Sequence, residues 1–577
     1  DRNPLAVELC RTALWIESLE PGRPLTFLDP HIRCGDSLVG VLDPKCIEDG
    51  VPDAAFDALS GDDKKVCRSL RKRNADERTM RTESLFVGYS FGEALLRVAS
   101  GAKAVEALPE DDVGQIAAKR AQWRKTFDDP AYLREKLAAD IFTGAFFIPK
   151  TPETFESAPT SEDLERARNG DSVRSAVAAN ANVLSRTHRF FHWRLEFRDV
   201  MAAGGFDVVL GNPPWERIKL QEQEFFASRS PRIAGAPNAA ERTRMIRALS
   251  EPGAPESDGA LARAFRDALR ESEAASAFIR KSGRFPLTGT GDVNTYAVFA
   301  ETILGLCGSS GRAGFIVPTG IATDNTTRAF FDAVTKGRRL ASLYDFENRE
   351  RLFPEVDSRT KFCLLTLGRD VGEPTFVFFA TRGEHLADDR RRFTLTPADI
   401  ARINPNTRTA PVFRSRADAD LTRRIYARVP VLIDESAGKA GNPWGIFFTA
   451  MFHMSNDSGL FRTAKQLAEQ GAQRTGAMWT GAGGRAWVPL YEAKMVHQFD
   501  HRWATYETDG ETVRDATDAE KCDPAFEATP RYWVPEDEVQ SRLAAKGWTR
   551  GWLMGWRDIT NATNERTVIA GVIPRVG

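Results

Sequence analysis

What this 577-residue sequence lacks narrows its possible roles. Its seven cysteines (Cys10, Cys34, Cys46, Cys67, Cys307, Cys363, Cys522) form no CxxC pair. Such scattered thiols offer neither a zinc site nor a disulfide frame and suit a reducing compartment, so the expected location is the cytoplasm and the expected metal content is none. No apolar run approaches the ~20 residues that span a bilayer, and no signal peptide is present. Neither sign of charge is in excess: 79 basic residues stand against 80 acidic ones, for a net charge of −1. That excludes a small, wholly basic nucleic-acid module. It leaves room for a basic cleft in a larger enzyme, because steering follows the local field. Internal repeats are absent, and the length implies two to four domains.

What is present alternates between helix and strand. A helix is expected over "PLAVELCRTALWIESL" and a strand around "LTFLDPHIRCGDSLVG". Long charged helical stretches fill residues 41–186. The aromatic "RFFHWRLEF" then leads into "GGFDVVLGNPPW", and Glu216 to Arg284 is helical again. A helix at "NTYAVFAETILGLC" is followed by a turn, "GSSGRA", and by strands at "GFIVP", "LASLYDF" and "KFCLLTLG". This alternation predicts an α/β doubly wound sheet with helical insertions. "LTGTGD" (Leu287–Asp292) reads as a loop. After Arg369 the pattern loosens into mixed strands and loops rich in Trp, Arg and Gly.

"FDVVLGNPPW" carries the most chemical information. The β-branched run reads as a central strand of a parallel sheet covered on both faces. Pro213 and Pro214 cannot extend it, because neither has an N–H for the ladder. In open α/β sheets ligands bind beyond the carboxyl ends of strands, where Asn212-Pro213-Pro214-Trp215 would stand. The Asn212 amide oxygen and the Pro213 carbonyl are adjacent acceptors, and Pro214 restricts where that carbonyl points. Trp215 adds a face for stacking. Two acceptors and a plane fit an aromatic amine with two N–H groups, such as that of adenine. They would favour a pyramidal nitrogen and stabilise the charge that grows as it attacks. A base in duplex DNA would have to flip out to reach them.

These residues resemble motif IV of the amino-methylating DNA methyltransferases that use S-adenosylmethionine. Together with "DRNPLAVELCRTALWI", "FLDPHIRCGDSLVG", "GFIVPTGIATDN" and "LFPEVDSRTKFCLLTLG", the chain resembles the large adenine-specific branch. That branch occurs in type IIG restriction–modification and in BREX- and DISARM-type phage defence. The resemblance implies a Rossmann-like methyltransferase sheet with large helical insertions, followed by a mixed α+β target-recognition region. By position, Asp1 matches the acid that holds the cofactor ribose. Asp36 matches the acid that accepts from the cofactor's adenine amine, with Ser37 and Leu38 beside it. Asn212, Pro213, Pro214 and Trp215 match the catalytic motif, and Phe353 matches a second apolar face for the base. Each has a plainer reading: Asp1 as a terminal loop residue, Asp36 as a turn acid, Phe353 as core. The family's glycine-rich motif I belongs ~20 residues before the ribose acid. Nothing precedes Asp1, so the chain reads as a fragment that binds the cofactor weakly or not at all.

The same resemblance divides the chain into 1–40 and 189–370 as two parts of the methyltransferase domain, the second with its own insertion at about 216–285. Residues 41–188 form a helical insertion, 371–430 a connector, and 431–577 the start of a target-recognition domain. Near the end, "KGWTRGWLMGWRDITNATNERTVIAG" interleaves Trp548, Trp552 and Trp556 with Arg550, Arg557, Asn561, Asn564 and Arg566. Arg and Asn suit the reading of guanine and adenine edges. The tryptophans are expected mostly buried and some arginines at DNA phosphates. Double-stranded DNA is the expected partner, with other restriction or defence subunits beside it and no membrane. Alternatives are a DNA-binding component with a vestigial methylase fold and a protein-glutamine methyltransferase. Asp62, Asp63 and Lys64 after Pro52-Asp53 match a nuclease spacing by chance, and His497 and His501 lack a third metal ligand.

Overall fold

Six short apolar runs pair into the sheet of the first of two units, Asp1–Asn442 and Pro443–Gly577. The computed structural model describes residues 1–19, 21–82, 91–251, 255–560 and 564–577. The strands are β1 (Phe206–Gly211), β2 (Cys307–Val317), β3 (Leu340–Glu347), β4 (Lys361–Leu367), β5 (Thr375–Ala380) and β6 (Phe393–Thr394), in the order β1-β2-β4-β3-β5-β6. The sheet is mixed where a parallel one was expected. β1 runs parallel to β2 and β3 to β5, but β4 lies antiparallel between β2 and β3.

Three further expectations are corrected. "FDVVL" forms β1, but β1 is an edge strand with Val208 61% and Leu210 79% exposed. Its β-branched composition satisfies the pleat whether or not a neighbour covers it. No strand forms around "LTFLDPHIRCGDSLVG"; the stretch is turns, with a single parallel bridge from Asp36 to Phe190. "GSSGRA" does not separate helix from strand. It lies within β2, where the register jumps from Phe206↔Cys307 to Val208↔Arg312 and the glycines bulge out of the ladder. A side chain at Gly311 would meet the Phe206 carbonyl at 2.5 Å.

The sheet core gathers Phe315, Val317, Leu343, Leu365 and Phe376 with Ala297, Ala300 and Ile303 of the helix Thr295–Leu306. A second core gathers helices from before and after β1. There the helix Pro130–Phe147, started by Pro130 and capped by the Asp129 carboxylate on the Ala131 and Tyr132 amides, is buried through its whole last turn. It packs with Phe278 of the long helix Glu256–Lys281 and with Leu38, Val39 and Val41. These helices thus share their core with the segment that carries Asp36.

The second unit contains a four-stranded antiparallel sheet, in the order Tyr532–Pro535, Ala486–Leu490, Met478–Thr480, Gln473–Thr475. It also has two-stranded ladders at Ala504–Tyr506 with Val513–Asp515 and at Trp552–Trp556 with Ala570–Pro574. Its buried tryptophans are Trp479, Trp487 and Trp533. Trp552 and Trp556, expected inside, are 36% and 47% exposed, because alternate residues of a two-stranded ladder face outward.

The edge position of β1 has a measurable cost pattern. Leu210→Ala is expected to change unfolding free energy by less than about 0.5 kcal/mol, whereas Phe315→Ala in β2, 3% exposed, is expected to cost about 3–5 kcal/mol. Urea unfolding of the two variants checks this; equal losses would contradict an edge β1.

Candidate active site

Because β4 reverses between β2 and β3, the carboxyl ends of β1, β2, β3 and β5 share one edge of the sheet. Along it stand Asn212–Trp215, Thr319 and the turn from Asn348 to Phe353. Three of these ends are tied together by one carboxylate. Asp345, 2% exposed on β3, accepts from the Thr319 hydroxyl after β2 and from the Phe379 amide of β5 at 2.9 Å. Burial pushes the Asp345 carboxyl above its ordinary range, against these hydrogen bonds.

The turn after β1 is held by Thr295, the first residue of its helix. The Thr295 hydroxyl donates to the Pro214 carbonyl at 2.6 Å and accepts from the Glu216 amide at 2.9 Å; the Thr295 amide donates to the Glu216 carbonyl at 2.8 Å. This clasp leaves the two preceding acceptors alone. Asn212 is exposed, and among the described residues neither its side chain nor the Pro213 carbonyl has a hydrogen-bond partner. Trp215 is half-buried against Phe346 and Phe362, with its buried Nε1 unpaired. Phe353, 42% exposed, sets its ring edge-on to the same Phe362 at 5.2 Å. Asn348 fixes that turn, donating to the Phe353 and Val356 carbonyls at 2.9 Å and accepting from the Phe353 amide at 3.0 Å.

The segment Gly35–Val41 is bound on every side. It zips to the aromatic stretch through the Asp36 amide on the Arg189 carbonyl and the Phe191 amide on the Val39 carbonyl, both at 2.8 Å. Gly40, at φ +140°, lies so close that a Cβ would meet the Phe191 carbonyl at 2.3 Å. The Asp36 Oδ1 accepts from the Leu38 amide at 3.1 Å, the turn role, while Oδ2 lies 3.9 Å from Arg2. The Ser37 carbonyl accepts from Trp193 Nε1 at 3.0 Å. The Val41 amide donates to His192 Nδ1 at 3.0 Å, and the opposite ring nitrogen meets Asp140 at 2.9 Å.

A cavity of 790 Å³ brings the two segments together, with Asp36 and Leu38 on one wall, Trp215 on another, and Glu271 and Ile279 from the long helix closing it. Among the lining residues a chain of charge runs from Asp36 through Arg2 to Glu271, with His188 3.7 Å beyond. Of the other predicted site residues, Asp1, Ser37, Asn212, Pro213, Pro214 and Phe353 do not line the cavity; the NPPW turn reaches it through Trp215. Asp1 is exposed, its carboxylate accepting from the Asn3 amide at 2.7 Å and its carbonyl from Gly35 at 2.9 Å.

Residues 1–238 match the family model of the Eco57I restriction-modification methylase. The resemblance to restriction–modification methylases therefore holds over that stretch, which carries both the Asp36 segment and the NPPW turn. No curated protein matches the chain. Among solved structures, a type I restriction-modification methyltransferase subunit from Streptococcus thermophilus is 11% identical over 63% of this chain and 99% of its own, with a TM-score of 0.19. A structure of a type I R-M system in assembly gives 11% identity, 76% and 95% coverage and a TM-score of 0.20.

Beyond the methylase-matched stretch stand Glu271, Arg284 and Thr295, none of which was singled out in the sequence. Thr295 carried a readable signal, following the helix N-cap Asn294; Glu271 and Arg284 sit among many similar charges. Of the residues proposed at DNA, Arg550 is exposed and lies over the Trp548 and Trp552 rings at 5.8 and 5.4 Å. Arg557 spends its Nε on the Val496 carbonyl at 2.9 Å. Asn564 and Arg566 are exposed, and Asn561 lies outside the described residues. Asp62 is ion-paired to Arg270 at 2.6 Å and Asp63 caps a helix start. Among the described residues no metal-binding cluster forms, and no described helix is long and apolar enough to cross a membrane.

The nearby His188, then Arg2, hold the Glu271 carboxyl at about 2, below its ordinary 4.5 and against the opposing effect of burial. A depressed folded-state pKa contributes stability that is full above about pH 4.5 and is lost as the pH falls toward 2. Glu271→Gln is therefore expected to lower the thermal midpoint at pH 6 and to flatten its fall between pH 5 and 3; unchanged acid dependence would contradict the coupling.

Proposed function

We propose that this chain is a DNA methyltransferase that modifies the N6 amine of adenine in duplex DNA, with S-adenosylmethionine as donor, in a restriction–modification or phage-defence system. One observation carries the reading: two unpaired acceptors, the Asn212 amide oxygen and the Pro213 carbonyl, at a strand end next to a tryptophan that lines a ligand-sized cavity. The methylase-family match over residues 1–238 supports it.

The donor set fits part of the cofactor. Asp36 presents a carboxylate to the cavity, suited to an exocyclic amine, with Leu38 as an apolar neighbour. Trp215, across the cavity, carries an Nε1 that is buried and has no partner among the described residues. Asp1 would hold the ribose hydroxyls, and Ser37 shapes the turn beside Asp36. Bound S-adenosylmethionine would supply an electrophilic methyl group. The protein's part is to receive the flipped base: Trp215 stacks it, Phe353 offers a second apolar face, and the Asn212 amide oxygen and Pro213 carbonyl accept hydrogen bonds from its two amine N–H groups. These fixed dipoles stabilise the positive charge that develops on nitrogen, and Pro214 with Thr295 keeps them aimed without reorganisation.

In the second unit, Arg550, Asn564 and Arg566 are the residues proposed to meet DNA, with Arg557 and Asn561 in the same segment, and residues 431–577 read as the start of a target-recognition domain. The first unit then reads as the two methyltransferase parts, 1–40 and 189–370, separated by the helical insertion. Other restriction or defence subunits are the proposed protein partners.

Asn212→Ala in the complete protein is expected to lower methylation by about 10²-fold or more, the effect of removing one oxyanion-hole-type partner, while DNA binding stays within about twofold. Sequencing of host DNA for N6-methyladenine, with and without the variant, reads the outcome. Near-normal methylation would refute the assigned role.

A further inference from the structure

Arg284 lies outside the family-matched stretch, yet it touches the backbone beside Asp36 more than any other side chain there. It is 9% exposed and follows the long helix Glu256–Lys281 through Ser282 and Gly283. One guanidinium nitrogen donates to the Leu38 carbonyl at 2.9 Å and the Gly40 carbonyl at 2.5 Å; the other donates to the Ser37 carbonyl at 2.8 Å. The Phe285 ring lies under it at 4.8 Å. No carboxylate pairs with this cation within ion-pair distance among the described residues; three main-chain oxygens solvate it instead. A buried guanidinium is costly unless its donors are satisfied; the two terminal nitrogens are, while Nε is buried without a partner, and a planar fork reaches three carbonyls of one turn where a single ammonium cannot.

We propose that Arg284 is a positioning residue: it locks the Ser37–Gly40 turn so that Asp36 meets the cofactor's adenine amine in a preset orientation. The proposal rests on the cofactor reading of Asp36. Trp193, on the Ser37 carbonyl, and His192, on the Val41 amide, complete the same clamp from the opposite side. The geometry is selective. Arg284 and Trp193 bind carbonyls and His192 an amide, so none of them takes up the Asp36 carboxylate, whose Oδ2 keeps its place at the cavity wall with Arg2 3.9 Å away. Presetting a group in this way removes ordering cost from binding. Because the clamp draws on residues 192–193 and 284, it makes cofactor affinity depend on the helical elements around the sheet.

The test is a double-mutant cycle in the complete protein, with S-adenosylhomocysteine as the probe by calorimetry and amide hydrogen exchange of residues 36–41 read without ligand. Arg284→Lys is expected to weaken binding tenfold or more and to speed exchange at the Asp36 and Val41 amides. In an Asp36→Asn background the same change is expected to add less than twofold, because its effect passes through Asp36. Trp193→Phe, which removes one bond of the clamp, gives a smaller loss with the same dependence on Asp36 and serves if the lysine variant does not fold. Additive losses in the cycle, or unchanged exchange in the turn, would overturn the proposal. Failure of the wild type to bind the probe would overturn the cofactor reading itself; the two failures are told apart because exchange is measured on the free protein.

Discussion

The closure of Thr295 on Pro214 and Glu216 is the constraint on which the site depends. A strand that ends in two prolines cannot hand its direction to a ladder neighbour, so something else must fix the chain where it leaves the sheet. One threonine does so with its hydroxyl and its amide, both on backbone. Each such bond contributes only about 1 kcal/mol net. Together, however, they anchor the turn to the first residue of the helix that feeds β2, the strand beside β1. Strand end, turn and helix start become one piece, and the two acceptors upstream are left unpaired, Asn212 exposed and Pro213 buried.

The helices that precede β1 are coupled to this piece and are not a separate appendage. Their core includes Leu38, Val39 and Val41. Asp140, 2% exposed on the helix Pro130–Phe147, holds His192, whose other ring nitrogen takes the Val41 amide. A donor at Val41 makes Nδ1 the acceptor and leaves the proton on the nitrogen facing Asp140. Lys136, one helical turn before Asp140, shares the carboxylate. Desolvation would raise the Asp140 carboxyl, yet His192 and Lys136 bring it below its ordinary value. A helix some 100 residues from Asp36 in sequence thereby sets the backbone next to it.

Much of this could be read in the sequence, and the rest could not for definite reasons. The strands at Leu340–Glu347 and Lys361–Leu367, the helix Thr295–Leu306, the loop at Leu287–Asp292 and the turn at Asn212–Trp215 follow from local pattern and from proline and glycine chemistry. The burial of β1 did not follow, because "FDVVL" has the same composition at an edge as in a centre. The direction of β4 was equally hidden: a 13-residue connection after Glu347 permits either sense, and only the antiparallel pairing with β3 decides it. The tryptophans of the second unit mislead for a similar reason. Spacing at every fourth residue says nothing of which face of a short ladder is covered. Arg284 had no local signal at all, since a buried arginine and a surface one read alike until the carbonyls around them are known.

The separation of β1 from its partner also bears on how the molecule is made. Residues 212–306 lie between the end of β1 and the start of β2. A ribosome adding ~5–20 residues each second needs roughly 5–20 seconds to deliver that span. For that interval the nascent β1 carries Val208, Val209 and Leu210 with no ladder on either side, and the NPPW turn lacks its threonine. Vectorial synthesis thus delivers the motif well before the scaffold that aims it, and shelter for this apolar strand must come from outside the sheet until helix and β2 emerge.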